Sequence, residues 1–249
     1  MSKNLQDKQK EIIFFDNLVA ENANYISLSE ESYKNFFLIL KKNIEVSSNL
    51  LNLKILEIGC GTGAFTKELL KIKNSEIFAT DISGESIKII KKKHPNIHSS
   101  IQDAENLSYD NSYYDIVVLS GVLHHFMDLN KVLSESFRVL KKNGVFFSYD
   151  PHLYNPFFWL FRRKGSLFYM KNGVTKNEEP LTEKKIVEAT NNFNLEKIKI
   201  IKKSNFSYKK IHNSILNSFI PIYNFIDRLI SIIGLEKIIG SFLITIIKK

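Results

Sequence analysis

Cysteine is nearly absent: Cys60 is the only one in 249 residues. No internal disulfide framework can form, and a reducing compartment is expected. Arginine is scarce as well. Of the 35 basic residues only Arg138, Arg162, Arg163 and Arg228 are arginines, and the lysines are scattered along the chain. Phosphate and base recognition favours the planar Arg fork, so the formal net charge of +9 is not read as a nucleic-acid footprint and no nucleic-acid partner is expected. The start, MSKNLQDKQKEIIFF, has no apolar stretch of signal-peptide length, which points to the cytoplasm. Long hydrophobic runs are missing too. Near the C-terminus the longest uncharged run, Ile211 to Ile226, is 16 residues and contains a His, three Asn, two Ser and Pro221, too short and polar to span a bilayer. There is no internal repeat, low-complexity linker or metal-ligand constellation.

What is present is ordinary for a globular chain: 44% hydrophobic and 24% charged residues, enough for one large α/β domain. Residues 8–46 read as two helices, the second starting near Ser29, with Phe36, Phe37, Leu40 and Ile44 at the spacing of one buried face. From Lys54 short apolar runs alternate with helical segments. Strands are expected at 55–58, 76–81, 96–101, 114–120 and 145–150. Helices are expected at about 63–71, from a Ser83 cap to His94-Pro95, and from about Asp128 to Leu140. A helix opened by Thr182 and running to about Asn192, a strand at 195–203 and a last strand within 240–249 follow an aromatic insert at 151–170. Runs such as IVVL and VFF imply a parallel sheet covered on both faces.

The stretch ILEIGCGTG (55–63) breaks from a strand into glycines at 59, 61 and 63, which let the backbone approach a ligand closely. Gly59, Gly61 and Ala64 also fit the dinucleotide pattern G-x-G-x-x-[G/A], so the turn alone leaves a nicotinamide cofactor open. Three acids at strand ends decide between the ligands. Glu57 precedes the turn, Asp81 ends the second strand 20 residues beyond Gly61, and Asp103 follows the third. Carboxylates repel a pyrophosphate but suit an ammonium, a sulfonium and a ribose diol. S-adenosylmethionine carries all three. Asp81 is expected to accept the ribose hydroxyls, and Asp103 with the Ala104 amide to meet the adenine edge.

Five blocks in order, ILEIGCGTG (55–63), Asp81, DAENL (103–107), YDIVVLSGVLHHF (114–126) and RVLKKNGVFF (138–147), resemble the core of class I S-adenosylmethionine-dependent methyltransferases. The likeness is nearest to the broad group that includes quinone-biosynthesis enzymes. It implies a doubly wound, mostly parallel seven-stranded α/β sheet whose last strand is antiparallel. It also implies cofactor contacts at Glu57, Gly59, Cys60, Gly61, Gly63, Asp81, Ile82, Asp103, Ala104 and Ser120. One domain over 1–249 is expected: a helical cap at 1–50, a cofactor core at 51–150, and substrate-lid inserts with two strands at 151–249. No Asn/Asp-Pro-Pro-Tyr motif follows the fourth strand, which argues against amino-methylating enzymes of adenine and glutamine.

The expected activity is methyl transfer to a small-molecule acceptor. The alternatives are a peripheral-membrane methyltransferase of a quinone or lipid, and a non-catalytic cofactor-binding partner protein. A proton acceptor is needed when the acceptor is a hydroxyl, and the candidates are His125 first and His124 second, with Asp150 and His152 lining the acceptor pocket. Insert residues Tyr154, Phe157, Phe158, Trp159 and Phe161 are expected to form an aromatic lid or a membrane contact. Residues 222, 225, 226, 229, 230 and 233 form an apolar stripe expected to be buried on the domain, the other reading being membrane contact through 211–239.

Overall fold

The short apolar runs become strands: β1 (Leu53–Ile58), β2 (Ser75–Asp81), β3 (His98–Ile101), β4 (Tyr114–Ser120), β5 (Leu140–Pro151), β6 (Lys197–Lys203) and β7 (Phe242–Lys248). The computed structural model describes residues 7–23, 25–44, 52–171 and 174–249. The opening residues 1–6, and the expected end of the second helix at 45–46, lie outside them. The strands form one sheet in the order β3-β2-β1-β4-β5-β7-β6. Only β7 runs antiparallel to its neighbours, as expected for this fold.

Period-two alternation puts each central strand into two cores. Val117 and Leu119 of β4 face one cluster with Leu56, Phe137, Phe146 and Leu243, while Ile116 and Val118 face the other with Ile55, Phe36, Phe147 and Ile244. The first cluster is covered by α5 (Leu129–Val139) and α7 (Glu183–Thr190), the second by α2 (Glu30–Ile44) and α3 (Thr66–Leu69). On α5, Leu129, Val132, Leu133 and Phe137 are all buried, each side chain worth roughly 1.5–3 kcal/mol. Caps fall where the sequence placed them. Ser83 accepts from the Ser86 N–H at the start of α4 (Gly84–Lys93), Asp128 from Asn130, and Thr182 from Lys185.

Several boundaries differ, three of them with consequences for the site or the sheet. The helix expected at 63–71 is a single turn, α3, because Gly61 and Gly63 sit at φ +50° and +92°, outside helical space. β3 begins at His98 rather than 96. β5 pairs Leu140 with Tyr114 and then Val145 with Ile116, so residues 141–144 bulge, with Asn143 at φ +63°.

β1 pairs β2 on one side and β4 on the other, so the strand order reverses there. A crevice at the carboxyl ends of these strands follows from that reversal. Across it lies α1 (Lys8–Glu21), packed on α4.

Candidate active site

At the end of β1 the chain turns at Gly59, φ +76°, whose N–H and that of Cys60 donate to Thr80 O at 2.8 and 3.0 Å. A Cβ on Gly59 would stand 1.9 Å from Val122 Cγ2, so no side chain fits. Gly61 differs. At φ +50° it has open space on its Cβ side, and its N–H donates to Asp81 Oδ2 at 2.8 Å. Asp81 Oδ1 accepts the Ser83 N–H at 2.9 Å. Each carboxylate oxygen retains lone-pair capacity for a diol at the mouth of the turn.

Below them Glu57 is fully buried, Oε2 accepting from Thr66 Oγ1 at 2.6 Å and Oε1 from Ser120 Oγ at 2.8 Å. Burial pushes its carboxyl up to about 7, against the pull of those two hydroxyls. A buried acid so placed at the floor of a cleft gains from a cation beside it. The donor set therefore fits a ligand with a cationic end and a diol, as S-adenosylmethionine has. Cys60 is buried and its thiol is pushed well up, chiefly by burial, so it is inert as a nucleophile.

Asp103 is bound by the protein itself. Its Oδ1 accepts the Glu105 N–H at 2.9 Å, while Oδ2 and Glu105 Oε2 receive the Lys8 ammonium at 2.5 and 2.6 Å. Asp16, two turns along α1, accepts from Ser83 Oγ at 2.6 Å and the Glu85 N–H at 3.2 Å. Glu11 receives Asn177 Nδ2 at 3.2 Å. These three ties hold α1 over the cleft. None of the three was foreseen, because Lys8, Glu11 and Asp16 read in isolation as a solvated helix face. The cap at the start of α4 was the one usable signal, since Ser83 serves both helices.

The cleft, about 320 Å³, continues from this turn past Ser120, Ala104 and Ile82 toward Phe14, Phe15, Phe158, Tyr208 and Phe242. Past β4 a short 3-10 turn, Leu123–His125, places both histidines on its wall. His124 Nδ1 is 2.9 Å from Asp150 Oδ1, an acid with no exposed surface. His125 Nδ1 stands 3.7 Å from Glu11 Oε2, beyond hydrogen-bonding distance, and its ring meets Phe15 edge-on. Burial holds the His125 imidazolium far below the ordinary range, with His124 and Arg162 adding to the effect. Burial likewise raises Glu11. Arg162 crosses the rim to Glu178 at 2.6 Å, a pair the sequence did not suggest.

Several expectations are corrected. Gly63 does not line the cleft, since its Cα faces Ile90 and His94. Neither Asp150 nor His152 lines it: both are fully buried, Asp150 behind His124 and His152 with Nδ1 against Gly240 O at 2.8 Å, because β7 pairs over them. The aromatic insert is not a lid of five rings. Only Phe158 of α6 (Pro156–Phe161) reaches the cleft, since Tyr154 and Trp159 are exposed and Phe157 and Phe161 turn to α8 (Ser214–Ile232).

Residues 56–148 match the family described as a methyltransferase domain. That stretch is therefore a methyltransferase domain, and the sheet order and acid-lined turn around it are those the resemblance to class I S-adenosylmethionine-dependent methyltransferases implied. It is 30% identical over 123 residues to the demethylmenaquinone methyltransferase of Chlorobaculum tepidum, covering 49% of this chain and 50% of that one. It is 32% identical over 175 residues to an uncharacterised protein of Methanocaldococcus jannaschii, covering 69% and 63%. The chain spans about half the length of such curated relatives. A SAM-dependent methyltransferase structure from Thermotoga maritima superposes with a TM-score of 0.60 at 17% identity, covering 96% of this chain and 99% of that one.

Proposed function

We propose that the chain transfers a methyl group to a hydroxyl of a small, largely apolar acceptor seated under α1, working in the cytoplasm. The observation that carries this reading is the single cleft joining the acid-lined glycine turn to the His124–Asp150 pair. Bound at the turn, S-adenosylmethionine supplies a methyl carbon made electrophilic by the sulfonium. Glu57 balances positive charge at the floor, Asp81 holds the diol, and the backbone at Gly61 leaves room for both. Asp103 and Ala104 stand where an adenine edge would be met, although Asp103 shares its charge with Lys8.

At the other end, Asp150 holds the His124 Nδ1–H, which leaves Nε2 as the acceptor of a proton. His124 rather than His125 is the base on this geometry. The acceptor oxygen forms its bond to the methyl carbon as the sulfur–methyl bond breaks, and its proton passes to His124 Nε2. Phe14, Phe15 and Phe158 give the acceptor an apolar wall and exclude water, and most of the rate gain expected of the site comes from positioning, about 7–11 kcal/mol for well-oriented pairs.

The test is incubation with methyl-labelled cofactor and a metabolite extract, followed by mass spectrometry. A labelled methyl ether is expected. Binding of S-adenosylhomocysteine with no labelled product in extracts would move the chain to the non-catalytic binders.

A further inference from the structure

We propose that the exposed apolar face of α8, with the adjoining outer face of α6, docks on an anionic phospholipid bilayer and sets the mouth of the cleft against the lipid. Ile222, Phe225, Ile226, Leu229, Ile232 and Ile233 all lie on the open side of α8, Phe225 at 64% and Ile232 at 69% exposure. Isolated exposed apolar residues are unremarkable, but an uninterrupted row along a helix of 19 residues, roughly 28 Å, marks an interaction surface. The row continues onto α6. Phe157 packs on Tyr223 at 4.9 Å and Phe161 stacks with Phe219 at 6.4 Å, so α6 lies against α8, and Trp159, with Leu167 and Phe168 in the turn beyond, adds further exposed apolar area beside it.

Charge selects the occupant. Within 151–171 and 205–239 the only acids are Asp227 and Glu236. Both are buried, Asp227 accepting the N–H groups of Asn205 and Phe206 and Glu236 paired with Lys203. The exposed ionic groups there are Arg163, Lys164, Lys171, Lys209, Lys210, Arg228 and Lys237, all cationic. A second copy of the chain would bring like charges together, whereas an anionic lipid surface complements them. Arg163 lies 5.0 Å over the ring of Trp159, a pairing of the kind that anchors at the headgroup level. No helix among the described residues is long and apolar enough to cross a membrane, so the helix lies on the surface.

The cleft opens beside this plane. Phe158 and Arg162 line the cleft from the inner side of the same short helix that carries Trp159, and Tyr208, Lys210, Ile211 and His212 line it just before α8 begins. Docking would deliver an apolar acceptor from the bilayer to α1 without crossing water. The surface contact itself does not depend on the methyl-transfer reading.

The test uses the whole chain with phosphatidylcholine vesicles, with or without phosphatidylglycerol. Trp159 is the only tryptophan, so its emission reports the contact directly. The protein should sediment with the anionic vesicles only, with a blue-shifted emission that brominated acyl chains quench and that raised salt reverses. Ile222→Asp with Phe225→Asp should abolish sedimentation at unchanged melting temperature, and Arg228→Gln with Lys237→Gln should lower partitioning about thirtyfold. If the Asp pair proves unstable, quenching of Trp159 in the unaltered chain decides. The proposal is overturned if the unaltered chain stays in the supernatant with unshifted emission, or if folded Asp variants still sediment. A solution dimer lost in those variants would overturn it too, assigning the face to a second copy.

Discussion

Asp150 Oδ1 is 2.9 Å from His124 Nδ1 and also accepts the backbone N–H of His124 at 3.1 Å. One buried carboxylate oxygen thus fixes both the backbone and the ring of the same residue. The ring cannot turn without giving up its partner in a dry setting, where an unpaired polar group costs about 1–3 kcal/mol. His124→Gln should lower kcat by about 10²–10⁴ on a hydroxyl acceptor while leaving S-adenosylhomocysteine affinity unchanged by calorimetry. Asp150→Asn should lower kcat less, by loosening the hold on the ring, and an unchanged kcat would reduce Asp150 to packing.

The cofactor end gives a second expectation. Asp81→Ala should cost about 1.5–3 kcal/mol of S-adenosylhomocysteine binding, the range for hydrogen bonds to a charged group. The same carboxylate also braces the Gly61 and Ser83 N–H groups, so a modest fall in melting temperature should accompany the loss. NAD should show no binding in the same cell, because Glu57 and Asp81 repel a pyrophosphate. A preference for NAD would remove the assignment of this turn.

Glu57 links binding to pH. Its carboxyl lies near 4.5 in the unfolded chain and about 7 in the fold, so the native state holds the extra proton between these values. Stability contributed by this group is therefore full at the acid end and lost as pH rises toward and past 7, by about 3 kcal/mol. His125, held neutral by burial, works in the opposite sense below its ordinary range. The Glu57 share is read as the difference between the melting curves of the unaltered chain and Glu57→Gln from pH 5 to 8. A cationic ligand should also drive the proton off. Calorimetry with S-adenosylmethionine near pH 7, in buffers of differing ionisation enthalpy, should show proton release that Glu57→Gln abolishes.

The strands and the acids at their ends were legible because physics repeats along the chain there. A strand buried on both faces has to be apolar throughout, as in Ile116 to Leu119, and turn glycines and terminal acids stand at fixed places relative to it. The cover over the cleft was not legible. Lys8, Glu11 and Asp16 find partners at Asp103, Asn177 and Ser83, and nothing local distinguishes such a polar helix face from a solvated one. The His124–Asp150 pair was half legible. Two adjacent histidines could be read, but the acid that orients one of them lies on another strand.

The ties of α1 make a kinetic expectation. The Lys8 pair is about one-third exposed on both sides and so contributes at most about 1 kcal/mol, but it spans the cleft entrance. Lys8→Ala with Asp16→Ala should raise both the association and the release rates of S-adenosylhomocysteine, with little change in their ratio. Stopped-flow traces unchanged from the unaltered chain would show that ligand enters by another route.

The face that α8 buries reverses the sequence expectation, and two substitutions test it. The stripe 222, 225, 226, 229, 230 and 233 was expected in the core, yet among these only Ile230 is buried. The helix docks instead through Leu216, Ile220, Tyr223, Asp227 and Ile230. α8 is apolar on most of its circumference, so periodicity could not choose between faces, and Asp227 argued against the correct one. The structure explains the acid: its Oδ2 accepts the N–H groups of Asn205 and Phe206 at 2.8 and 3.0 Å where the chain leaves β6. Asn224 adds a second clamp, accepting from the Tyr208 N–H and donating to its carbonyl, each at 2.9 Å. Ile230→Asp, at 6% exposure, should therefore lower stability by several kcal/mol, while Ile226→Asp, at 47%, should leave the melting temperature within a degree or two. Equal destabilisation by both in denaturant titrations would mean that the outer face is covered in solution.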